Sequence, residues 1–136
     1  FFIEMGARNG GNLIPHITEY ATGVDLIEYT IKAALGEDCS DLKMVEPTGY
    51  WSCYTINSQK SGIFKGLEID SEFEQSNIVE YELLVKPGNP IFSFTGSDKK
   101  LGSMVLKYSS MEEMLQKMNN MTNWVKVILE ESLVRK

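Results

Sequence analysis

The spacing of apolar residues divides the chain near residue 47. Before that point, apolar residues recur at the three- and four-residue intervals of an amphipathic helix, which predicts a helix over residues 23–35. The positions that carry this pattern are Val24, Ile27, Ile31, Ala34 and Leu35. After it, short segments rich in β-branched and aromatic residues, or alternating between apolar and polar residues, predict strands. These segments are residues 49–56, 63–69, 79–85, 91–94 and 101–108.

Helix boundaries are marked by capping residues. Thr22 with Asp25 three positions later is a variant of the capping box and predicts the start of the first helix, while Pro15 predicts a short helical turn before it. Ser110 with Glu113 is a full capping box and predicts a second helix over about residues 111–121. The apolar stripe of that helix is Met111, Met114, Leu115, Met118 and Met121. Residues 124–129 are compatible with a last strand or with a continuation of this helix.

These elements predict an α+β fold. Residues 1–47 form a strand, a glycine-rich loop, a helix and a linker, and residues 48–136 form a small β-rich domain, whose strands are expected to make one antiparallel sheet with one helix near its end. The strand at residues 1–5 is apolar from its first residue, Phe1, whereas a natural terminus is usually polar. We therefore expect the sequence to be a piece of a longer protein that begins inside a sheet.

The composition of the chain limits which classes of binding partner are expected. The chain has 136 residues, of which 43% are hydrophobic and 24% are charged, and its net charge is −6. Because no cluster of lysine or arginine is present, nucleic acid is not expected as a partner, and no apolar run is long enough for a membrane span. Cys39 and Cys53 lack metal-ligand spacing, so we expect reduced thiols in a cytoplasmic protein, although the sequence leaves a disulfide between them open.

The loop after the first strand carries the residues best suited to chemistry. Glu4 ends an apolar strand, Arg8 follows four positions later, and Gly10 and Gly11 allow the backbone to approach a ligand closely. A carboxylate can hold Mg²⁺ and a guanidinium can grip phosphate oxygens, which together suit phosphoryl transfer. The same residues are equally compatible with an ion pair between Glu4 and Arg8 that braces a glycine turn.

This loop and the helix after it resemble the closing segment of the ATP-grasp superfamily. Residues 2–12, Phe-Ile-Glu-Met-Gly-Ala-Arg-Asn-Gly-Gly-Asn, precede the Ala-Thr-Gly-Val-Asp-Leu helix start at residues 21–26. The superfamily includes biotin carboxylase, the large chain of carbamoyl-phosphate synthase and the amino-acid ligases. Residues 48–130 resemble, more loosely, the small β-rich C-terminal domain of biotin carboxylase-like members.

The resemblance implies a role for each matching residue. Glu4 matches a glutamate that ligates Mg²⁺ on the nucleotide, and Arg8 matches an arginine that contacts the terminal phosphate and the developing acyl phosphate. The matching glycines, with the asparagine after them, imply a substrate loop of Gly10, Gly11 and Asn12. Gly6 departs from the pattern, because many members carry asparagine there as a further metal ligand.

Other candidate residues have simpler explanations. His16 follows the loop and is a candidate for an acceptor site, but a histidine after a proline is more often a surface or capping residue. Glu80 and Glu82 lie on one side of a predicted strand and are expected to face solvent.

The function implied by the resemblance is that of an ATP-dependent ligase that joins a carboxylate to an amine through an acyl phosphate. The superfamily takes ATP and Mg²⁺ as cofactors and holds the nucleotide between domains whose residues are not in this sequence. We therefore expect the chain alone to be inactive, to bind ATP weakly at most, and to need those missing domains as partners. The alternative is a non-catalytic docking or dimerisation module, and a homo-oligomer is compatible with both.

Overall fold

The structure, a computed structural model, describes residues 9–130. The predicted strand at residues 1–5 lies outside the described residues, and so do Glu4 and Arg8. The described elements are helices and antiparallel strands, so the α+β prediction is confirmed at this level. We call residues 9–47 the helical segment and residues 48–130 the sheet segment; a domain boundary between them stays a prediction.

The helical segment contains two helices, α1 (Ile14–Thr22) and α2 (Leu26–Ala34). The predicted single helix over residues 23–35 was too long at its start, and the predicted helical turn at Pro15 is a nine-residue helix. Thr22 does not cap α2: it is the last residue of α1, and its hydroxyl donates to the carbonyl of Thr18. Asp25 caps α2 instead, since its carboxylate accepts from the amides of Ile27 and Glu28.

A glycine separates the two helices. Gly23 has a φ of 75°, in the left-handed region, and its amide donates to the carbonyl of Glu19. Glycine at this position ends a helix without steric cost, which is why α1 stops here and the chain can turn before Asp25. The same Thr-Gly pair that indicated a helix start in the sequence is thus a helix end in the structure.

The sheet segment forms two three-stranded antiparallel sheets rather than the single sheet that was predicted. The first has the order β1 (Tyr50–Ile56), β5 (Gly102–Tyr108) and β3 (Ile78–Leu83). The second has the order β4 (Pro90–Ile91), β2 (Gly62–Ile69) and β6 (Val125–Leu129). Of residues 124–129, whose structure the sequence left open, Trp124 ends a short helix and the rest form a strand, β6. The strand predicted over residues 91–94 is paired only at Ile91.

Three short helices connect these strands: α3 (Ser71–Asn77), α4 (Met111–Met118) and α5 (Met121–Trp124). The predicted cap is confirmed, because the Ser110 hydroxyl accepts from the amide of Glu113 at the start of α4, while the Glu113 carboxylate accepts from the amide of Ser109 and not from that of Ser110. The predicted helix over residues 111–121 is interrupted after Met118 and resumes as α5. One core cluster joins both sheets and these helices, and its buried members are Ile56, Phe64, Phe73, Ile91, Leu101, Met104, Leu106, Tyr108, Met121 and Val125.

Strand β3 lies at the edge of the first sheet. Its pairing with β5 shifts between Ile78 and Glu80, so that an extra residue is inserted there as a bulge. Val79, Tyr81 and Leu83, which were predicted to form a half-buried face, are 38% to 45% exposed. The alternation was present in the sequence, but an edge strand leaves much of its apolar surface uncovered.

Candidate functional site

The candidate site begins at the loop before α1, of which the structure describes Asn9 onward. Glu4 and Arg8 lie outside the described residues, so their predicted roles stay predictions. Gly10, Gly11, Asn12 and His16 are described and lie before or in the first turn of α1, and Asn12 and His16 contact the sheet segment.

Asn12 and Leu13 hold a backbone conformation that is unusual for residues with side chains. Their φ angles are 56° and 61°, in the left-handed region. This conformation costs roughly 1–2 kcal/mol for each residue, so contacts from the rest of the protein must hold it. Residues of both the helical segment and the sheet segment contact this loop.

The sheet segment holds Asn12 at two atoms. The ammonium of Lys100 donates to the Asn12 side-chain oxygen at 2.9 Å, and the Cys53 thiol donates to the Asn12 carbonyl at 2.7 Å. Partial burial raises the pKa of the Cys53 thiol, and the positive charge of Lys100 opposes this shift. Cys53 therefore stays a neutral hydrogen-bond donor at neutral pH, and both cysteines are free thiols, as expected.

The helical segment holds the loop at Asn9. Its side-chain amide donates to the carbonyl of Leu26 at 3.1 Å and to the hydroxyl of Thr30 at 2.7 Å. The loop is thus fixed at one end by α2 and at the other by strand β1 and by Lys100, which precedes β5. The sequence predicted that Asn12 belongs to a substrate loop, but it did not reveal that Lys100 and Cys53 lie beside it.

The two glycines of the loop are not explained by packing among the described residues. A Cβ atom at Gly10 would only reach ordinary contact with Ile14, at 3.4 Å, and one at Gly11 would meet nothing within 4 Å. Neither residue has the positive φ that favours glycine. The space beside Gly11 is open to a ligand or to another part of the protein.

His16 contacts Glu80, a residue that was predicted to face solvent. Its Nδ1 lies 2.9 Å from a carboxylate oxygen of Glu80, and both side chains are 38% exposed. Next to this pair is a cavity of about 80 Å³, lined also by Leu13, Tyr81 and Glu82. No spacing in the sequence could have revealed a contact between residues 64 positions apart.

An aromatic stack lies on the same face of the first sheet. The rings of Tyr20 in α1 and Trp51 in β1 are 5.2 Å apart and nearly parallel. Partial burial, followed by the negative charge of Glu80, raises the pKa of the Tyr20 hydroxyl. The stack therefore adds an aromatic contact to the hydrogen bonds that join the helical segment to the sheet segment at Asn12.

The described residues contain neither a cluster of metal ligands nor a membrane-spanning helix. Within residues 9–130, no three histidine, cysteine, aspartate or glutamate side chains are grouped so that they could hold a metal ion. None of the helices described is long and apolar enough to cross a membrane.

Comparison with known proteins gives a relative in sequence and several in structure. No protein-family model matches the chain. A protein of Sinorhizobium fredii (strain NBRC 101917 / NGR234), named uncharacterized protein y4rH, is 27% identical over 126 residues. That match covers 90% of this chain and 26% of the relative. The chain therefore spans about a quarter of the length of this curated relative.

The structural matches are longer proteins as well. L-amino acid ligase from Bacillus licheniformis matches with a TM-score of 0.78 and 21% identity, over 96% of this chain and 33% of the ligase. Phosphoribosylglycinamide synthetase from Anaerococcus prevotii matches with a TM-score of 0.67 and 22% identity, over 89% of this chain and 31% of that enzyme. The biotin carboxylase domain of Hydrogenobacter thermophilus 2-oxoglutarate carboxylase, crystallised with MgADP, ADP and bicarbonate, matches with a TM-score of 0.62 and 20% identity. This last match covers 94% of this chain and 28% of that domain's chain.

All three structures are ATP-grasp enzymes, and each is matched over nearly the whole of this chain but only about a third of its own. The resemblance to the ATP-grasp superfamily is therefore confirmed at the level of the fold: this chain has the fold of one part of these enzymes.

Proposed function

We propose that this chain is the C-terminal part of an ATP-dependent ligase that joins a carboxylate to an amine. The observation that carries the proposal is the match to L-amino acid ligase from Bacillus licheniformis, whose TM-score of 0.78 extends over 96% of this chain. The loop and helix sequence at residues 2–26 supports the same assignment, because it follows the ATP-grasp pattern in order.

In the proposed reaction, a substrate carboxylate attacks the terminal phosphorus of ATP, which gives an acyl phosphate and ADP. The amine of a second substrate then attacks the acyl carbon, loses a proton, and displaces inorganic phosphate to form an amide. Arg8 stabilises the phosphoryl group during both transfers, since a guanidinium can make two hydrogen bonds to its oxygens.

Mg²⁺ would neutralise charge on the nucleotide phosphates, with Glu4 as one oxygen ligand. Because residues 9–130 contain no cluster of metal ligands, the further ligands in this proposal belong to the missing domains. Gly6 would supply no ligand, since it lacks a side chain.

The described part of the loop would shape the space for the substrates. The open space beside Gly11 supports this role, because the fold of the described residues gives no other reason for a missing side chain there. The contacts that hold Asn12 from the sheet segment would keep this space constant during turnover.

The test is amine-dependent ADP release by the full-length enzyme and by its Glu4→Gln and Arg8→Ala variants. Arg8→Ala is expected to lower turnover by about two to three orders of magnitude, the usual effect of losing one electrostatic donor at a transition state. Glu4→Gln is expected to lose activity that excess Mg²⁺ partly restores by mass action. Glu28→Gln, on the exposed face of α2, is the matched control and should not change the rate.

The outcome also decides between the two functions. Near-normal turnover in Arg8→Ala would remove that residue from the mechanism and leave the ion-pair explanation. Absence of amine-dependent ADP release in the unmodified full-length protein would favour a docking or dimerisation module. The 136-residue chain alone serves as the negative control, since the proposal expects it to release no ADP.

A further inference from the structure

His16 and Glu80 are arranged as a proton acceptor and the carboxylate that orients it. Nδ1 of His16 lies 2.9 Å from a carboxylate oxygen of Glu80. Because an ionised carboxylate only accepts hydrogen bonds, Nδ1 carries the proton of this bond. A neutral imidazole has one N–H group, so Nε2 keeps its lone pair, and it forms no hydrogen bond with residues 9–130. One proton acceptor therefore remains open.

The cavity beside this pair suits a small amine. Its volume is about 80 Å³, enough for roughly two or three water molecules or for an ammonium group with its first carbon atom. Glu80 and Glu82 both line it, and Glu82 forms no ion pair with residues 9–130. Carboxylates and a ring nitrogen without a proton are all acceptors, whereas a primary ammonium offers three donors and one positive charge. The lining therefore complements an ammonium in both hydrogen bonding and charge.

The cavity adjoins the predicted substrate loop. Leu13 lines it and directly follows Asn12, and both residues hold the left-handed conformation described above. The sheet segment contacts the loop at Asn12 and contacts α1 at His16, so one segment sets the positions of both. An amine bound in the cavity would therefore lie next to the loop that the proposed function assigns to the substrates.

We propose that His16 is the general base for the amine substrate and that Glu80 is its positioning residue. The inference rests on the proposed function, in which an amine attacks an acyl phosphate. An alkylamine is protonated at neutral pH and then has no lone pair for this attack. Nε2 of His16 takes one proton from the bound ammonium, and Glu80 stabilises the imidazolium that forms. The free amine then forms the C–N bond, the C–O bond to phosphate breaks, and phosphate leaves with the electron pair of that bond and with the second proton of the ammonium.

The decisive test compares two amines of equal size in the full-length enzyme. Methylamine needs a base, whereas hydroxylamine is largely unprotonated at neutral pH and can attack without one. His16→Gln should lower ADP release with methylamine by about 10²–10³-fold, the usual contribution of a general base, and with hydroxylamine by less than about threefold. Equal losses with both amines would mean that His16 only supports the structure, and they would overturn the proposal.

The pH dependence gives a second readout that a structural role would not change. The loss in His16→Gln should shrink as pH rises, because more of the methylamine is then the free base. Glu80→Gln should lower the methylamine rate by about tenfold, since a partly exposed carboxylate is screened by solvent, and Glu112→Gln on α4 is the control that should leave it unchanged. The unmodified enzyme serves as the reference for the other titratable groups beside His16, which are Glu19, Tyr20, Glu80, Tyr81 and Glu82.

Binding of an amine beside His16 can be tested without turnover. His16 is the only histidine of the 136-residue chain, so its imidazole protons give single NMR signals. Methylammonium chloride should shift these signals saturably, with a dissociation constant of roughly 10–100 mM, as for a ligand of very few atoms. Tetramethylammonium chloride at equal ionic strength should not, since it has no N–H donor. Shifts that do not saturate, or that are equal for both cations, would overturn the amine site.

Failure of this inference is distinguishable from failure of the proposed function. If methylammonium binds beside His16 but the full-length protein releases no ADP with any amine, the amine site stands and the ligase assignment does not. If the full-length enzyme is active and His16→Gln loses the same factor with methylamine and hydroxylamine, the ligase assignment stands and the general base does not. An unchanged unfolding midpoint in His16→Gln and Glu80→Gln is the check that both variants are folded.

Discussion

The helical and sheet segments differ in how many of their apolar side chains are buried. Of residues 9–47, only Pro15 and Ala21 are buried, and α2 has no buried residue at all. The side chains Ile27 and Ile31 of this helix and Leu35 just after its end, spaced four residues apart, are all exposed. The sheet segment instead buries ten side chains in one cluster that joins both sheets.

This difference shows where each segment obtains its stability. A helix with an apolar stripe is normally held by what covers the stripe, because helix propensity alone is marginal at nine residues. The sheet segment has its own core, whereas the described contacts of α2 are its Asp25 cap and the hydrogen bonds from Asn9, and we expect the missing domains of the proposed longer enzyme to cover its apolar stripe. The following predictions test this contrast, from the largest expected effect to the smallest.

The largest effect is expected in the core of the sheet segment. Phe64 in β2 is fully buried, so Phe64→Ala should lower the free energy of unfolding by about 3–5 kcal/mol. The measurement is urea unfolding followed by tryptophan fluorescence. Phe92→Ala is the matched control, because Phe92 is 58% exposed, and a loss there as large as at Phe64 would contradict the position of the core.

An intermediate effect is expected at Glu113, the acidic residue of the capping box. Its carboxylate accepts from Lys117, Ser109 and Asn77, and these contacts hold the pKa of Glu113 well below its ordinary value of 4.5. A carboxylate with a lowered pKa contributes stability above its unfolded pKa, and this contribution is lost as pH falls toward the folded pKa.

We therefore expect the chain to lose stability as pH falls below about 4.5. Glu113→Gln should lower the free energy of unfolding by about 2 kcal/mol at pH 7, since it weakens hydrogen bonds to a charged group, and by much less near pH 2. The measurement is urea unfolding across this pH range. Glu112→Gln, on the same exposed turn of α4, is the control, and an identical pH profile in both variants would contradict the assignment to Glu113.

The smallest effect is expected on α2. Ile31 is 55% exposed, so Ile31→Ala should change the unfolding free energy of this chain by less than about 0.5 kcal/mol. In the full-length enzyme the same substitution should cost about 2–5 kcal/mol, because the missing domains are expected to cover this side chain. Equal small effects in both proteins would show that the stripe on α2 stays uncovered.

The elements that the sequence predicted well are those set by local chemistry. The Ser110–Glu113 box marked the start of α4, and the strands β1, β2, β3 and β5 followed runs of β-branched and aromatic residues or an alternating pattern. The division between α1 and α2 was missed because a threonine before a glycine can cap one helix or end another. The choice depends on the φ of Gly23, which the sequence does not reveal.

What the sequence could not predict are contacts between distant residues. The strands pair in two sheets instead of one. Which strands pair depends on how the whole core packs, and no single segment of the sequence determines it. In the same way, the loop residue Asn12 was recognised from its motif, but its partners Lys100 and Cys53 lie 88 and 41 positions away. The contact between His16 and Glu80 could not be predicted for the same reason, since the sequence pattern indicated that Glu80 faces solvent from its strand.

The position of β3 at a sheet edge has a consequence for self-association. An unpaired edge with exposed apolar side chains is a template on which another strand can add and start aggregation. A second copy of β3 pairing antiparallel about Tyr81 would bring Glu80 of each chain opposite Glu82 of the other, and like charges directly opposite repel. The bulge beside Glu80 further disturbs the ladder that such a strand would need. This edge therefore discriminates against its own copy, while a strand that carries lysine or arginine at those positions would be attracted to it.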